Sequence, residues 1–369
     1  MRYQGIKVTL VTGFLGAGKT TLIRQLLDQS PVNERWAVLV NEFGDIGLDS
    51  AFYSNSDVAI KEVPGGCVCC TTSAAFQQGL NQLIKEHNPD RLFIEPSGLG
   101  HPKQIIQKLR SASYQDVLLL TGAFCVLDAR NLKDERYTKH TIFNDQIESA
   151  NGIVFSHVDS YQAKDIVILE ARFSAASLLG LKSATFLSNP MHLDLEDLDI
   201  GLINIPVQGD LIHTHHTDGL HDTSHSHHAD HSHKEDSDKK NGSHSHHDNA
   251  NPTETSPWHY QKHQDGMKVL GWRWSIGENF NQDKVKSMIY DVAKLNDIYR
   301  IKGVFSINIT EALFVNVSRG EVTFNVSPWD KTSRMEVIGA FTKLDEEKAG
   351  NKDENSWPYK ALPLVNDLI

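Results

Sequence analysis

The sequence predicts an α/β fold in which a mainly parallel sheet with helices is followed by a small α+β C-terminal domain. Three observations carry this. Residues 1 to about 205 alternate short β-rich runs with amphipathic helical patterns, the signature of a parallel sheet covered on both faces. From about 209 to 264 the chain is almost empty of core-forming residues. Order then resumes at KVLGWRWSI, with several alternating runs around one amphipathic helix.

The elements follow in order. KVTLVTG reads as a buried first strand, and TTLIRQLLDQ as a helix with Leu22, Ile23, Leu26 and Leu27 on one face. Strands are expected at WAVLVN, VAIKEV, RLFIE, within VLLLTGAFCVLDA, and at GIVFSH and ATFLS. Helices are expected near 73–86, 103–110 and 164–179. Beyond KVLGWRWSI the pattern predicts a helix near 281–295 and strands near 300–309, 312–317, 321–326 and 334–339. The expected domains are 1–208, a disordered His-rich linker 209–264, a second domain 265–342 and a charged, loosely held tail 343–369.

The 369 residues suffice for two domains, and the apolar fraction of 39% is ordinary for a globular chain. No run of eighteen apolar residues offers a membrane span, and the apolar stretch at the N-terminus is too short for a secretory signal. Four cysteines, three of them clustered, argue against a disulfide framework and for a reducing, cytoplasmic setting. A formal net charge of −11 disfavours a nucleic-acid footprint and suits a protein that attracts cations.

GFLGAGKT, Gly13 to Thr20, fits G-x-x-x-x-G-K-[ST] between a strand and an amphipathic helix, which predicts a P-loop NTPase domain. In such a loop Gly13, Gly16 and Gly18 let the backbone wrap close to phosphates. The amides through Ala17 to Thr21 then meet the charge at the helix N-terminus. Lys19 is expected to reach the β- and γ-phosphates, and Thr20 to ligate Mg²⁺. RLFIEPSGLG places Glu95 at the end of an apolar strand, where a carboxylate can orient a metal-bound or attacking water, and Gly98 in a turn suited to sensing the γ-phosphate. GIVFSHVD sets Asp159 where a guanine-reading carboxylate follows its strand, with Ser156 and His157 in the places of the usual Asn and Lys. That substitution leaves GTP favoured over ATP without deciding between them.

GGCVCC, residues 65–70, clusters Cys67, Cys69 and Cys70. Closely spaced thiolates repel, which favours a shared soft cation such as Zn²⁺ or Cu⁺. Packing in a Gly-rich turn, or a redox pair of Cys67 and Cys70, are the simpler readings of the same residues. Glu42, after WAVLVN, offers a hard oxygen ligand. Cys125, in GAFCVLDA, reads as a core residue.

GFLGAGKT, VNEFGDIGLD, GGCVCC, IEPSGLGHP and the late GWRWS, RIKGVF and SRMEVIG runs together resemble the CobW-type metallochaperone GTPases, over nearly the whole chain to about residue 340. The resemblance implies a slow GTPase, stimulated by metal or client, that carries a transition metal, most often zinc, to a metal-requiring client protein. It places the metal site on Glu42, Cys69 and Cys70, with Cys67 close by. Three ligands would leave a tetrahedral ion one open position, useful for handing metal onward. SHVD departs from the family's usual N-K-x-D. Cobalt delivery for cobalamin biosynthesis, or a metal buffer with a regulatory nucleotide site, are the alternatives. Co²⁺ and Ni²⁺ remain open as cargo, as does the oligomeric state.

Fourteen of the nineteen histidines lie between His213 and His263, including His215, His216, His225, His227, His228, His244, His246 and His247. Neutral imidazoles bind zinc, nickel and copper. A coil of this length spans on the order of 45 Å, so the segment is expected to act as a tethered metal reservoir whose capacity falls as pH drops below about 6.5. In the last domain, Trp272, Trp274 and Arg300 are candidate client contacts, although aromatic residues in strands favour a core.

Overall fold

The computed structural model describes residues 3–42, 58–64, 74–178, 184–188, 191–203, 258–264, 266–341 and 356–368. Cys67, Cys69, Cys70, the side chain of Glu42 and the eight histidines singled out above lie outside the described residues.

The first domain runs β1 (Ile6–Thr12), α1 (Lys19–Leu27), β2 (Trp36–Glu42), β3 (Ala59–Pro64), α2 (Ala74–His87), β4 (Arg91–Glu95), α3 (Pro102–Leu109) and β5 (Leu118–Leu127). It continues through α4 (Glu135–Thr138), α5 (Thr141–Glu148), β6 (Gly152–Phe155), α6 (Ala163–Leu178), β7 (Ala184–Phe186) and α7 (Ile200–Ile203). Its seven strands are all parallel, in the order β3-β2-β4-β1-β5-β6-β7. Parallel strands need crossovers, so both faces are covered, and β1 and β4 read as near-continuous apolar runs because both of their faces are buried. One layer packs Ile6, Val8 and Leu10 against Phe76, Leu80, Leu83 and Ile84 of α2 and Ile105 of α3. The other packs Val11, Val38, Val40 and Phe93 against Leu22, Ile23 and Leu26 of α1. Leu22, Ile23 and Leu26 are fully buried, each worth roughly 1.5–3 kcal/mol. Their helical spacing therefore pins the first turn of α1 over the sheet's carboxyl edge.

The second domain comprises β8 (Trp258–Gln264), β9 (Met267–Arg273), α8 (Gln282–Ala293), β10 (Ile298–Ser306), β11 (Glu311–Ser318), β12 (Glu321–Pro328), β13 (Arg334–Ala340) and α9 (Trp357–Asn366). Its six strands are antiparallel in the order β12-β11-β10-β13-β9-β8. Asn281 caps α8, its side chain accepting from the amides of Asp283 and Lys284.

Two boundaries differ from expectation. β8 lies within the stretch assigned to the linker. It pairs with β9 from Trp258↔Arg273 to Gln264↔Met267, so WHYQKHQ is an edge strand whose polarity reflects its exposed position. The stretch 343–369, expected to be a loosely held tail, contains α9. There Trp357, Ala361 and Val365 are buried in the same apolar cluster as Val285, Ile289, Met335 and Val337. The charged residues before α9 dominate the composition and hid this short apolar face. Trp272 and Trp274 are core residues, 0% and 2% exposed, and are unavailable to a client.

The two sheets belong to one compact unit. A shared cluster joins Phe14, Leu15 and Leu99 to Met267, Val269, Tyr299 and Ile338. Arg130 bridges from the turn after β5 to Glu321 at 2.5 Å, Arg319 donates to Asn131, and the Tyr299 hydroxyl donates to the Arg136 carbonyl at 3.2 Å.

Candidate nucleotide-binding site

The loop from Gly13 to Gly18 leaves β1 and turns into α1. Gly13, Gly16 and Gly18 adopt φ of 142°, 72° and 102°, in the left-handed region that other residues avoid. Gly18 is the N-cap of α1, no side chain bonds into the cap, and the first turn carries no acid. Its amides are thus left for an external anion. Ala17 is buried, its amide donating to the Phe14 carbonyl at 3.2 Å. Thr21 is exposed and lines the cavity described below.

Lys19 is 4% exposed. Its Nζ donates to the carbonyls of Gly13 at 3.0 Å and Phe14 at 3.4 Å, folding the side chain back over its own loop. Burial, and after it the positive charge of Arg300, lowers its pKa to about 8, against an opposing pull from Glu95 and Cys125. Thr20 Oγ1 donates to Glu95 Oε1 at 2.8 Å, and Glu95 is 1% exposed at the end of β4. The hydroxyl in the first turn of α1 and the carboxylate at the end of β4 stand side by side, a hard donor set that suits Mg²⁺.

Gly98 abuts the loop. A Cβ there would meet the Leu15 amide nitrogen at 2.9 Å and its Cα at 3.0 Å, so only glycine lets the E-P-S-G turn approach. Gln146 of α5, 1% exposed, clamps the turn from behind by donating to the carbonyls of Gly98 at 3.1 Å and Gly100 at 3.3 Å. Cys125 is a buried core thiol, its pKa pushed up to about 12 chiefly by burial.

These groups open on a cavity of about 240 Å³ lined by Lys19, Thr20, Arg24, Glu95 and His157 and, from the second domain, by Arg300, Lys302, Asn316 and Thr323. His157 sits at φ 56° after β6, its Nδ1 3.1 Å from Ser156 Oγ. Ser156 is buried behind the loop, its Cβ within 3.6 Å of a Cβ placed on Gly18. Asp159 is exposed in the turn after His157 and is not among the cavity-lining residues. The second-domain residues carried no sequence signal for this role. Only the alternation of Arg300 and Lys302 along β10 hinted at a polar face.

Glu42 closes β2 and pairs with Pro64, the last residue of β3. The two segments expected to hold metal therefore leave the sheet at its carboxyl edge, the same edge as Gly13 and Glu95.

The chain matches the CobW/HypB/UreG nucleotide-binding domain over residues 7–176 and the cobalamin synthesis protein cobW C-terminal domain over residues 269–352. It is 48% identical over 153 residues to the zinc chaperone YeiR of Escherichia coli, covering 42% of this chain and 47% of that one. It is 36% identical over 163 residues to the zinc chaperone YjiA of the same organism, covering 42% and 50%. The chain thus spans about half the length of these relatives. Among solved structures, Zn(II)-bound YjiA GTPase from E. coli aligns with a TM-score of 0.38 at 18% identity, covering 95% of this chain and 99% of that one. With a phosphate loop whose surroundings agree from strand to helix, and with the two domain matches in sequence order over well above half its length, the chain belongs to the CobW family of P-loop proteins.

Proposed function

We propose that the protein is a GTP-hydrolysing metallochaperone that binds Zn²⁺ at the Cys-x-Cys-Cys turn and hands it to a metal-requiring client. The observation that carries this reading is the convergence on one sheet edge of the Lys19–Thr20–Glu95 constellation with the strand ends leading into Glu42 and GGCVCC. With β2, β4 and β1 as successive neighbours about 4.8 Å apart, Glu42 leaves the sheet roughly 10 Å from the phosphate loop.

In this reading the amides of Gly16 to Thr21 and the Lys19 ammonium hold the phosphates, and Asp159 reads the base. Mg²⁺, held by Thr20 with Glu95 nearby, would neutralise charge on the β- and γ-phosphates. Glu95, fixed by the Thr20 hydroxyl, orients water for attack on the γ-phosphate. Gly98 places its backbone against the loop, so a displaced γ-phosphate is felt in the E-P-S-G turn. Glu42, Cys67, Cys69 and Cys70 carry the cargo ion, and the His-rich segment raises its local concentration. Because Glu42 sits at the end of a strand leading into the nucleotide edge, the bound nucleotide biases metal affinity, and by linkage metal biases nucleotide affinity equally. The relatives' names as zinc chaperones support zinc over Co²⁺ or Ni²⁺.

The test compares Zn²⁺ affinity in the presence of GDP and of a non-hydrolysable GTP analogue, and GTP turnover with and without Zn²⁺, in wild type and Cys69→Ala. The reading expects different zinc affinities in the two nucleotide states and loss of metal-stimulated turnover in the variant. Equal zinc affinities, with turnover indifferent to Cys69, would leave a plain nucleotide binder.

A further inference from the structure

α5 brings one apolar and one polar side chain to the nucleotide edge. Phe143 and Gln146, three residues apart, are neighbours on the helix surface. Phe143 packs edge-on against Phe14 of the loop, ring centroids 5.9 Å apart. Gln146 reaches the turn after β4. It is 1% exposed, and its Oε1 is buried with no hydrogen-bond partner among the described residues. A buried amide with an unmatched acceptor is costly to keep, so packing alone gives no reason for glutamine here. Its Nε2 supplies the reason, donating to the carbonyls of Gly98 and Gly100.

The peptide between Gly98 and Leu99 is gripped at both ends. Gln146 holds its carbonyl, and its amide, that of Leu99, donates to Ser97 Oγ at 3.1 Å. The Gly100 amide donates to the Ser97 carbonyl at 2.8 Å, which closes the turn. Leu99 is buried in one cluster with Phe14, Leu15 and Phe143. Among the described residues the Gly98 amide donates to no acceptor, although Gly98 is buried against Leu15 of the loop. Buried amides are rarely orphaned, and this one, beside the phosphate loop, is left for an external acceptor. α5 is also tied to the helix that follows the turn, Asp145 accepting from Lys103 Nζ of α3 at 2.7 Å. One helix thus braces the loop, the turn and α3.

Resting on the nucleotide reading above, we propose that Gln146 is a positioning residue for GTP hydrolysis. By pinning the peptide between Gly98 and Leu99 it holds the Gly98 amide ready for the terminal phosphate. Glu95, three residues earlier at the foot of the same turn, is steadied with it. Gln146 acts through the turn and not on the nucleotide itself. A diphosphate has no group at that position, so its binding does not depend on the clamp.

The experiment measures kcat and KM for GTP, and the affinities of GDP and of a non-hydrolysable GTP analogue, all with Mg²⁺, for the full chain as wild type, Gln146→Met and Lys19→Ala. Methionine keeps the length of glutamine and removes both donors. Gln146→Met should bind the analogue roughly tenfold more weakly and lower kcat roughly tenfold, with GDP within about twofold of wild type. A general loss of structure would move GDP as well. Equal weakening of both ligands therefore overturns the proposal, as does an analogue affinity unchanged from wild type. Lys19→Ala reports on the underlying site: loss of both ligands there, with an unselective Gln146→Met, sinks the clamp and leaves the nucleotide site standing. Wild type that binds neither ligand sinks both. Site-resolved hydrogen exchange on the wild type gives a readout independent of any variant's folding. The Gly98 amide should exchange more slowly with the analogue than with GDP, and equal exchange counts against the clamp.

Discussion

Replacing Lys19 by methionine should stabilise the nucleotide-free protein at neutral pH while removing its affinity for nucleotide. Burial and the charge of Arg300 lower the Lys19 pKa from 10.5 to about 8. At about 1.4 kcal/mol per unit, holding this ammonium in the folded state costs about 3 kcal/mol at pH 7. The sign follows from proton counting. Below pH 8 both folded and unfolded chains carry the proton, and the full cost is present. Between pH 8 and 10.5 the unfolded chain binds more protons than the folded one, so stability rises with pH and the cost disappears. Methionine has nearly the same length and no charge, but it gives up the hydrogen bonds to the Gly13 and Phe14 carbonyls, worth about 1 kcal/mol each. The net gain expected at pH 7 is therefore about 1–2 kcal/mol. At pH 10, where folded Lys19 is already neutral, the variant should be no more stable than wild type. Urea unfolding of nucleotide-free protein at the two pH values reads this directly. A variant less stable than wild type at pH 7, or a gain of the same size at pH 10, refutes the reasoning. By the same linkage, nucleotide should bind with proton uptake near pH 8.5, visible as buffer-dependent heats in calorimetry.

Two further substitutions test the packing on either side of the site. Gly98→Ala drives a methyl group to 2.9 Å from the Leu15 amide nitrogen, an overpacking of about 1–3 kcal/mol. It should lower nucleotide affinity by roughly tenfold, and unchanged affinity and stability would show that the turn yields freely. Trp357→Ala empties a 4% exposed site whose Nε1 donates to the Ala340 carbonyl at 2.8 Å and whose ring covers Gly339. Chemical denaturation should show a loss of about 3–5 kcal/mol, whereas a loss below about 1 kcal/mol would mean that α9 contributes little.

The sequence by itself determined the parts whose information is local. The candidate phosphate loop is contiguous: its glycines shape the backbone, and Lys19 and Thr20 present their side chains, all within eight residues. The alternation of apolar strands and amphipathic helices required a parallel sheet with both faces covered, and strand-end chemistry marked Glu95 as out of place among apolar neighbours. The helices α4 and α5 escaped because they are short and because their apolar residues, Tyr137, Ile142 and Phe143, serve a cluster assembled from distant segments. β8 and α9 escaped because composition averages over windows: an edge strand tolerates polar residues, and three apolar anchors vanish beside a charged run.

Only the tertiary structure decided which groups share the cavity. Arg300 and Lys302 lie nearly three hundred residues beyond the loop, on a strand that looks ordinary in sequence. Their role depends on the register of β10 with its neighbours and on the docking of one sheet against Phe14 and Leu15. The depressed pKa of Lys19 is likewise a property of burial and of charge delivered from another domain. Hydrophobic periodicity specifies which face of an element is buried, but electrostatic environment depends on distances between elements. Those distances exist only once the core has closed.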